Sequence, residues 1–123
     1  MIRILLANDY TIIRKGVRQI LSTEYPSAVI AEVEDGEEWT EKIKALPWDM
    51  IIFDLPMPDG DGLEALRRIR HNFPEMRILI LSLYPKIPYA ANAIKAGASG
   101  YLRKDAAPEE LIRTVKQVLA GKQ

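Results

Sequence analysis

Two carboxylates and a lysine each stand at the end of a short apolar run in this chain. Asp54 closes Met50-Ile51-Ile52-Phe53, Asp9 closes Ile4-Leu5-Leu6-Ala7-Asn8, and Lys104 follows a run around Tyr101-Leu102. A fourth run, Ile78-Leu79-Ile80-Leu81, leads into Ser82. An ionised carboxylate at the end of a buried strand is costly unless water, a cation or a chemical role compensates it. The stretch Leu55-Pro56-Met57-Pro58-Asp59-Gly60-Asp61-Gly62 stops the strand and turns the chain, which leaves Asp54 at a C-terminal strand edge. In open α/β sheets that edge is where ligands bind. Mg²⁺ prefers oxygen ligands and is held by one or two carboxylates plus phosphate oxygens, a set that Asp9 and Asp54 can supply. A carboxylate can also be the nucleophile of phosphoryl transfer, forming an aspartyl-phosphate. Asp54 would accept the group, Lys104 would pair with it from the far side, and Ser82 would donate a hydroxyl hydrogen bond to its oxygens.

Each of these residues also has an ordinary use. Asp9 alone reads as a helix N-cap, Asp54 as the start of a turn, Lys104 as a surface lysine before a helix, and Ser82 as an unremarkable strand end. The argument for a site is that four strand ends carry compatible groups at once. His71 stands alone at a helix end and reads as a surface histidine, while Trp39 and Trp48 read as packing or partly exposed residues. No Gly-rich phosphate loop or Ser/His/Asp arrangement occurs.

The elements that must position these groups alternate between strand-like and helix-like patterns five times. Ile2–Ala7, Ala28–Val33, Met50–Phe53, Arg77–Leu83 and Ser99–Leu102 read as strands, the first a near-continuous apolar run of the buried type. A helix capped by Asp9 or Thr11 carries Ile13, Val17, Ile20 and Leu21 on one face and ends before Pro26. A second follows Asp35-Gly36, with Trp39, Ile43 and Leu46 on one face, and stops at Pro47. A third runs from Leu63 to about Arg70. A fourth, short and Ala-rich, covers roughly Pro88–Ala96, with Gly97 as its C-cap. The last begins near Pro108, with Glu109 and Glu110 beside the positive end of its dipole and Leu111, Val115, Val118 and Leu119 on its apolar face. Five βα units with short links imply one domain over residues 1–123, a parallel sheet with helices on both faces.

The chain has 123 residues and is 48% apolar and 28% charged, which fits a globular domain with a real core. It has no cysteine, so thiolate chemistry and disulfides are excluded. No apolar stretch approaches the roughly 18–20 residues of a membrane span and no signal-peptide pattern appears, so no membrane partner and a cytoplasmic location are expected. Net charge is zero but uneven: residues 1–62 hold 6 Lys/Arg against 12 Asp/Glu, and residues 63–123 hold 11 against 5. Without a net basic excess, the chain itself is not expected to bind DNA.

The segment Asp54–Gly62 resembles the phosphoacceptor loop of receiver domains from two-component response regulators, D-x-x-M-P-x-x-D-G. The resemblance extends to Ile4–Asp9, to Ile80-Leu81-Ser82 and to Lys95–Asp105, in order along the whole chain. Ala96–Asp105 and the final Pro-Glu-Glu-Leu look most like the NarL/FixJ (LuxR-type) subfamily. The resemblance implies a flavodoxin-like (βα)5 three-layer α/β sandwich with strand order 2-1-3-4-5, a fold class for which the chemotaxis receiver is the stock illustration. Carried over by position, Asp54 is the phosphoacceptor and Asp9 a direct Mg²⁺ ligand, with the backbone carbonyl of Pro56 as another. Ser82 and Lys104 contact the phosphoryl group, and Tyr101 is the aromatic that moves with Ser82. The implied partners are a sensor histidine kinase, a second copy on activation, and DNA only through a C-terminal helix-turn-helix domain that this chain lacks. The implied role is a switch, not a metabolic enzyme.

The chain departs from that pattern at Asn8, where the family usually has an acid that contacts Mg²⁺ mainly through water. Asparagine keeps an oxygen acceptor but removes a negative charge, so a weaker, water-mediated contact is expected. Leu83 replaces a residue that is often small and is expected to modulate access to the phosphoryl site. Pro85 and Pro88 make the stretch before the fourth helix unusual. Asn8 motivates an alternative, a phosphorylation-independent interaction domain. A flavin-binding electron-transfer protein of the same fold is disfavoured, because the Asp9/Asp54 pocket would repel a flavin phosphate.

Overall fold

The computed structural model describes residues 2–7, 11–33, 36–54, 61–82, 94–95, 97–103 and 107–121; for residues 11–14, 36–40, 54, 61–65 and 82 it describes the backbone alone. Five strands, β1 (Arg3–Ala7), β2 (Val29–Val33), β3 (Met50–Asp54), β4 (Ile78–Ser82) and β5 (Gly100–Arg103), form one sheet in the order β2-β1-β3-β4-β5. All four pairings are parallel. Four helices are described: α1 (Thr11–Glu24), α2 (Gly36–Ala45), α3 (Asp61–Asn72) and α4 (Pro108–Leu119).

The apolar runs are continuous because alternate residues along each strand serve two different cores. Ile4, Leu6, Met50, Ile52, Leu79 and Leu81 pack with Val17 and Leu21 of α1 and Leu111, Val115 and Val118 of α4. Leu5, Ala7, Ile51, Phe53, Ile78 and Ile80 pack with Ile43 of α2 and Leu66 and Ile69 of α3. Helices therefore cover both faces, α1 and α4 on one and α2 and α3 on the other. Burying each such Leu or Ile contributes about 1.5–3 kcal/mol relative to exposure. This is the three-layer parallel architecture with the strand order expected from the sequence.

Two helix expectations need correction. Leu46 does not share the buried face of α2: it lies just past the helix end and is 42% exposed. The physical reason is Pro47, whose ring disfavours helical backbone at the residue before it, so Leu46 leaves the helical period. Trp48 fills the inward position instead, buried, with its indole N–H donating to the Lys42 carbonyl at 2.7 Å. The third helix also starts earlier than Leu63 and runs past Arg70, from Asp61 to Asn72. Gly62 is absorbed into its first turn and does not delay it. Of the helix expected over 88–96, only Ile94 and Lys95 lie within the described residues, and both are helical.

The last helix follows its sequence signals closely. Pro108 stands in its first turn, and the carbonyl of the extended Ala107 accepts the amides of Glu110 and Leu111 at 3.0 and 3.1 Å. The helix then packs very close to β5. A Cβ at Gly100 would stand 3.0 Å from Val118 Cγ2, so the absent side chain sets the approach of helix to strand.

Candidate functional site at the C-terminal strand edge

The register fixes which residues end side by side. Asp54, the last residue of β3, pairs with Leu81, and Ser82, the last residue of β4, pairs with Arg103 of β5. Ala7, the last residue of β1, pairs with Phe53. One edge of the sheet thus carries the ends of β1, β3, β4 and β5 together, with β1 and β3 as neighbours at its centre. In a parallel open sheet this is the edge that binds ligands, and the order reverses direction between β1 and β3.

The backbone of Asp54 and Ser82 is therefore placed on neighbouring strands of that edge, as the sequence requires. Asn8, Asp9, Pro56, Leu83 and Lys104 lie outside the described residues, as do Tyr84, Pro85 and Pro88. Asp9 comes two residues after the end of β1, and Lys104 directly follows Arg103 at the end of β5. Tyr101 is half-buried and packs against the core formed by Phe53, Ile80 and their neighbours, beside its register partner Ile80. That packing places it one strand from the β4 residues leading to Ser82.

The opposite edge holds residues that the sequence patterns did not single out. Asp49 accepts the Arg3 amide at 2.8 Å through Oδ2 and returns its own amide to the Arg3 carbonyl at 2.8 Å. Ser99 Oγ accepts the Ile78 amide at 3.1 Å, and the Ser99 amide donates to the Ile78 carbonyl at 2.7 Å. Arg70, in the last turn of α3, donates to carbonyls of Gly97, Phe73 and Pro74. Desolvation by burial lowers its pKa, though a guanidinium stays charged. These contacts join residues up to 46 positions apart, so no local motif announces them. His71 is exposed, in keeping with a surface histidine. Surface ion pairs Arg18–Glu32 and Lys116–Glu24, both at 3.1 Å, tie α1 to β2 and to α4. Such exposed pairs contribute about 0–1 kcal/mol each.

Residues 4–116 match the model of the response regulator receiver domain. The chain belongs to that family. It is 37% identical over 120 residues to the transcriptional regulatory protein DegU of Brevibacillus brevis, covering 98% of this chain and 51% of that protein. It is also 37% identical over 118 residues to the nitrate/nitrite response regulator protein NarL of Escherichia coli, covering 96% of this chain and 55% of that protein. The chain thus spans about half the length of these relatives. A crystal structure of a LuxR-family two-component response regulator from an Aurantimonas species superposes with a TM-score of 0.87 at 34% identity, covering 98% of this chain and 86% of that one. The receiver is therefore of the NarL/LuxR type, as the stretch Ala96–Asp105 and the final Pro-Glu-Glu-Leu implied. No helix among the described residues is long and apolar enough to cross a membrane.

Proposed function

We propose that this receiver accepts a phosphoryl group on Asp54 from the phosphohistidine of a sensor kinase and switches a transcriptional output. In the step, an Asp54 carboxylate oxygen attacks phosphorus, the P–N bond breaks, and its electron pair returns to the kinase imidazole, leaving an aspartyl-phosphate. Lys104 supplies a cation to the transferred group and Ser82 a hydroxyl donor, and Tyr101 follows the movement of Ser82. The observation that carries the reading is the register, which sets Asp54 beside Leu81 and Ser82 beside Arg103, the residue before Lys104.

The donor set of that edge suits Mg²⁺: carboxylates of Asp54 and Asp9 and the carbonyl of Pro56 are all hard oxygen ligands, with Asn8 contributing through water. Mg²⁺ would neutralise charge on the phosphoryl oxygens. The domain would act as a switch, not a metabolic enzyme, in the cytoplasm. Its charge change would shift a pre-existing equilibrium toward pairing with a second copy. A DNA-binding domain on the same polypeptide would carry the output, in keeping with the name and greater length of DegU.

Incubating the protein with acetyl phosphate and Mg²⁺ and measuring the intact mass tests this. The wild type is expected to gain one phosphoryl group and Asp54→Asn none. Equal modification of both would place the acceptor elsewhere. A wild type that never gains the group would favour a phosphorylation-independent interaction domain, the reading that Asn8 supports.

A further inference from the structure

Arg70 stands at the end of α3 remote from Asp54, and its four hydrogen bonds among the described residues all go to backbone carbonyls. Nε and Nη2 donate to Gly97 at 2.9 and 2.7 Å, while Nη1 donates to Pro74 at 2.7 Å and to Phe73 at 3.3 Å. The bonds to Phe73 and Pro74 close the C-terminal turn of its own helix, where a cation also complements the dipole. The bonds to Gly97 reach across to the start of β5. Charge-assisted bonds of this kind are roughly twice as strong as neutral ones, and the planar fork that makes them cannot be reproduced by lysine.

The aliphatic stem is fitted as closely as the head. A Cβ at Gly97 would stand 2.6 Å from Arg70 Cγ and 2.8 Å from Arg70 Cβ, and Gly97 has a φ of +119°. Two residues further, Ser99 is bound to Ile78 in both directions. Residues 97–99 are thus held to α3 on one side and to β4 on the other, immediately before β5 begins at Gly100.

We propose that Arg70 is a positioning residue that pins the start of β5, so that Tyr101 responds to the phosphoryl site on a fixed base. The pin stands on the contacts alone, and its part in switching rests on the phosphoacceptor reading.

Amide exchange and amide NMR spectra of the wild type, R70M, R70K and a control, I69V, test both parts, with and without Mg²⁺ and beryllofluoride as a phosphoryl mimic. Ile69 is buried in the same helix, so I69V lowers stability without removing a bond to Gly97. The Gly97 and Ser99 amides are expected to exchange about tenfold faster in R70M than in I69V, with R70K between them. Should R70M not fold, R70K against I69V carries the comparison. In the wild type, beryllofluoride is expected to shift the Tyr101 and Leu102 amides while Gly97 and Ser99 stay in place; in the Arg70 variants all four shift. Exchange no faster than in I69V overturns the pin. Gly97 shifting together with Tyr101 in the wild type overturns the fixed base. A wild type indifferent to beryllofluoride sinks the phosphoacceptor reading, and the exchange comparison then still decides whether Arg70 pins β5.

Discussion

The two edges of the sheet carry different sets of polar residues. Where the strands begin, polar side chains are bound to backbone: Asp49 to the Arg3 amide, Ser99 to the Ile78 amide, Trp48 to the Lys42 carbonyl and Arg70 to three carbonyls. Where the strands end, β3, β4 and β5 close on Asp54, Ser82 and Arg103, with Asn8-Asp9 and Lys104 next in the chain after β1 and β5. Groups of that kind disfavour folding when they crowd at a buried strand end. Under the proposed function the difference is a division of labour: one edge holds the strands in place, and that rigidity would let the other carry charges whose value is chemical. Changes at the first edge should move stability and leave ligand affinity alone. Changes at the second should act mainly on ligand affinity.

Gly97→Ala is the hardest test of the stitched edge. A side chain at φ +119° is strained, and its Cβ would collide with the stem of Arg70. The left-handed backbone contributes about 1–2 kcal/mol and the overpacking about 1–3 kcal/mol, so a total loss of about 2–5 kcal/mol is expected in urea unfolding. Beryllofluoride affinity should stay within about twofold, since the change lies at the far edge. A loss under about 1 kcal/mol, or a large drop in affinity, would erase the contrast between the edges.

How much of this was legible beforehand follows from where the information lies. The strands could be read to within about a residue because the three central ones, β1, β3 and β4, are built on apolar runs, and both faces of the sheet are covered. The place of Asp54 at a strand end could be read because a carboxylate after Phe53 contradicts the run it ends, and β3 does end there. Leu46 misled, since its spacing from Ile43 fits a helix that Pro47 had already stopped. Arg70 could not be read at all. On the sequence it is one of three arginines in Leu66-Arg67-Arg68-Ile69-Arg70, and only the fold brings Gly97, 27 residues away, under its guanidinium. Likewise the pairing of Asp54 with Leu81 and of Ser82 with Arg103 is a property of register, which an isolated strand does not specify.

Asn8→Asp tests the chemical edge from the other side. A carboxylate at position 8 adds a negative charge next in the chain to Asp9, one of the two carboxylates that would hold Mg²⁺ under the proposed function. A water-mediated contact is well screened, so the expected gain is about 1–2 kcal/mol, or roughly five- to thirtyfold tighter Mg²⁺ binding by calorimetric titration. Without Mg²⁺ the variant should be slightly less stable than the wild type, because three acids then repel one another. Unchanged affinity would mean that position 8 does not face the metal, and the expected ligand arrangement would have to be redrawn.

The smallest expected effect belongs to Tyr25, which follows α1 on the stitched side. Its amide donates to the Leu21 carbonyl at 2.7 Å, and Lys116 is paired with the neighbouring Glu24. Burial holds the phenol pKa above its ordinary 10.0, with Lys116 acting to lower it and Glu24 to raise it. A raised folded-state value means that the fold disfavours the phenolate. The stability this confers is complete below pH 10.0 and is lost as pH climbs through the higher folded value. Tyr25→Phe removes that slope and nothing else that titrates, since Lys116 and Glu24 remain in both proteins. Thermal unfolding of the two should therefore differ by a constant below pH 10.0, with the wild type weakening faster above it. Parallel curves across the whole range would mean that the phenol is as well solvated folded as unfolded, and that the seam between α1 and α4 is looser than its ion pair implies.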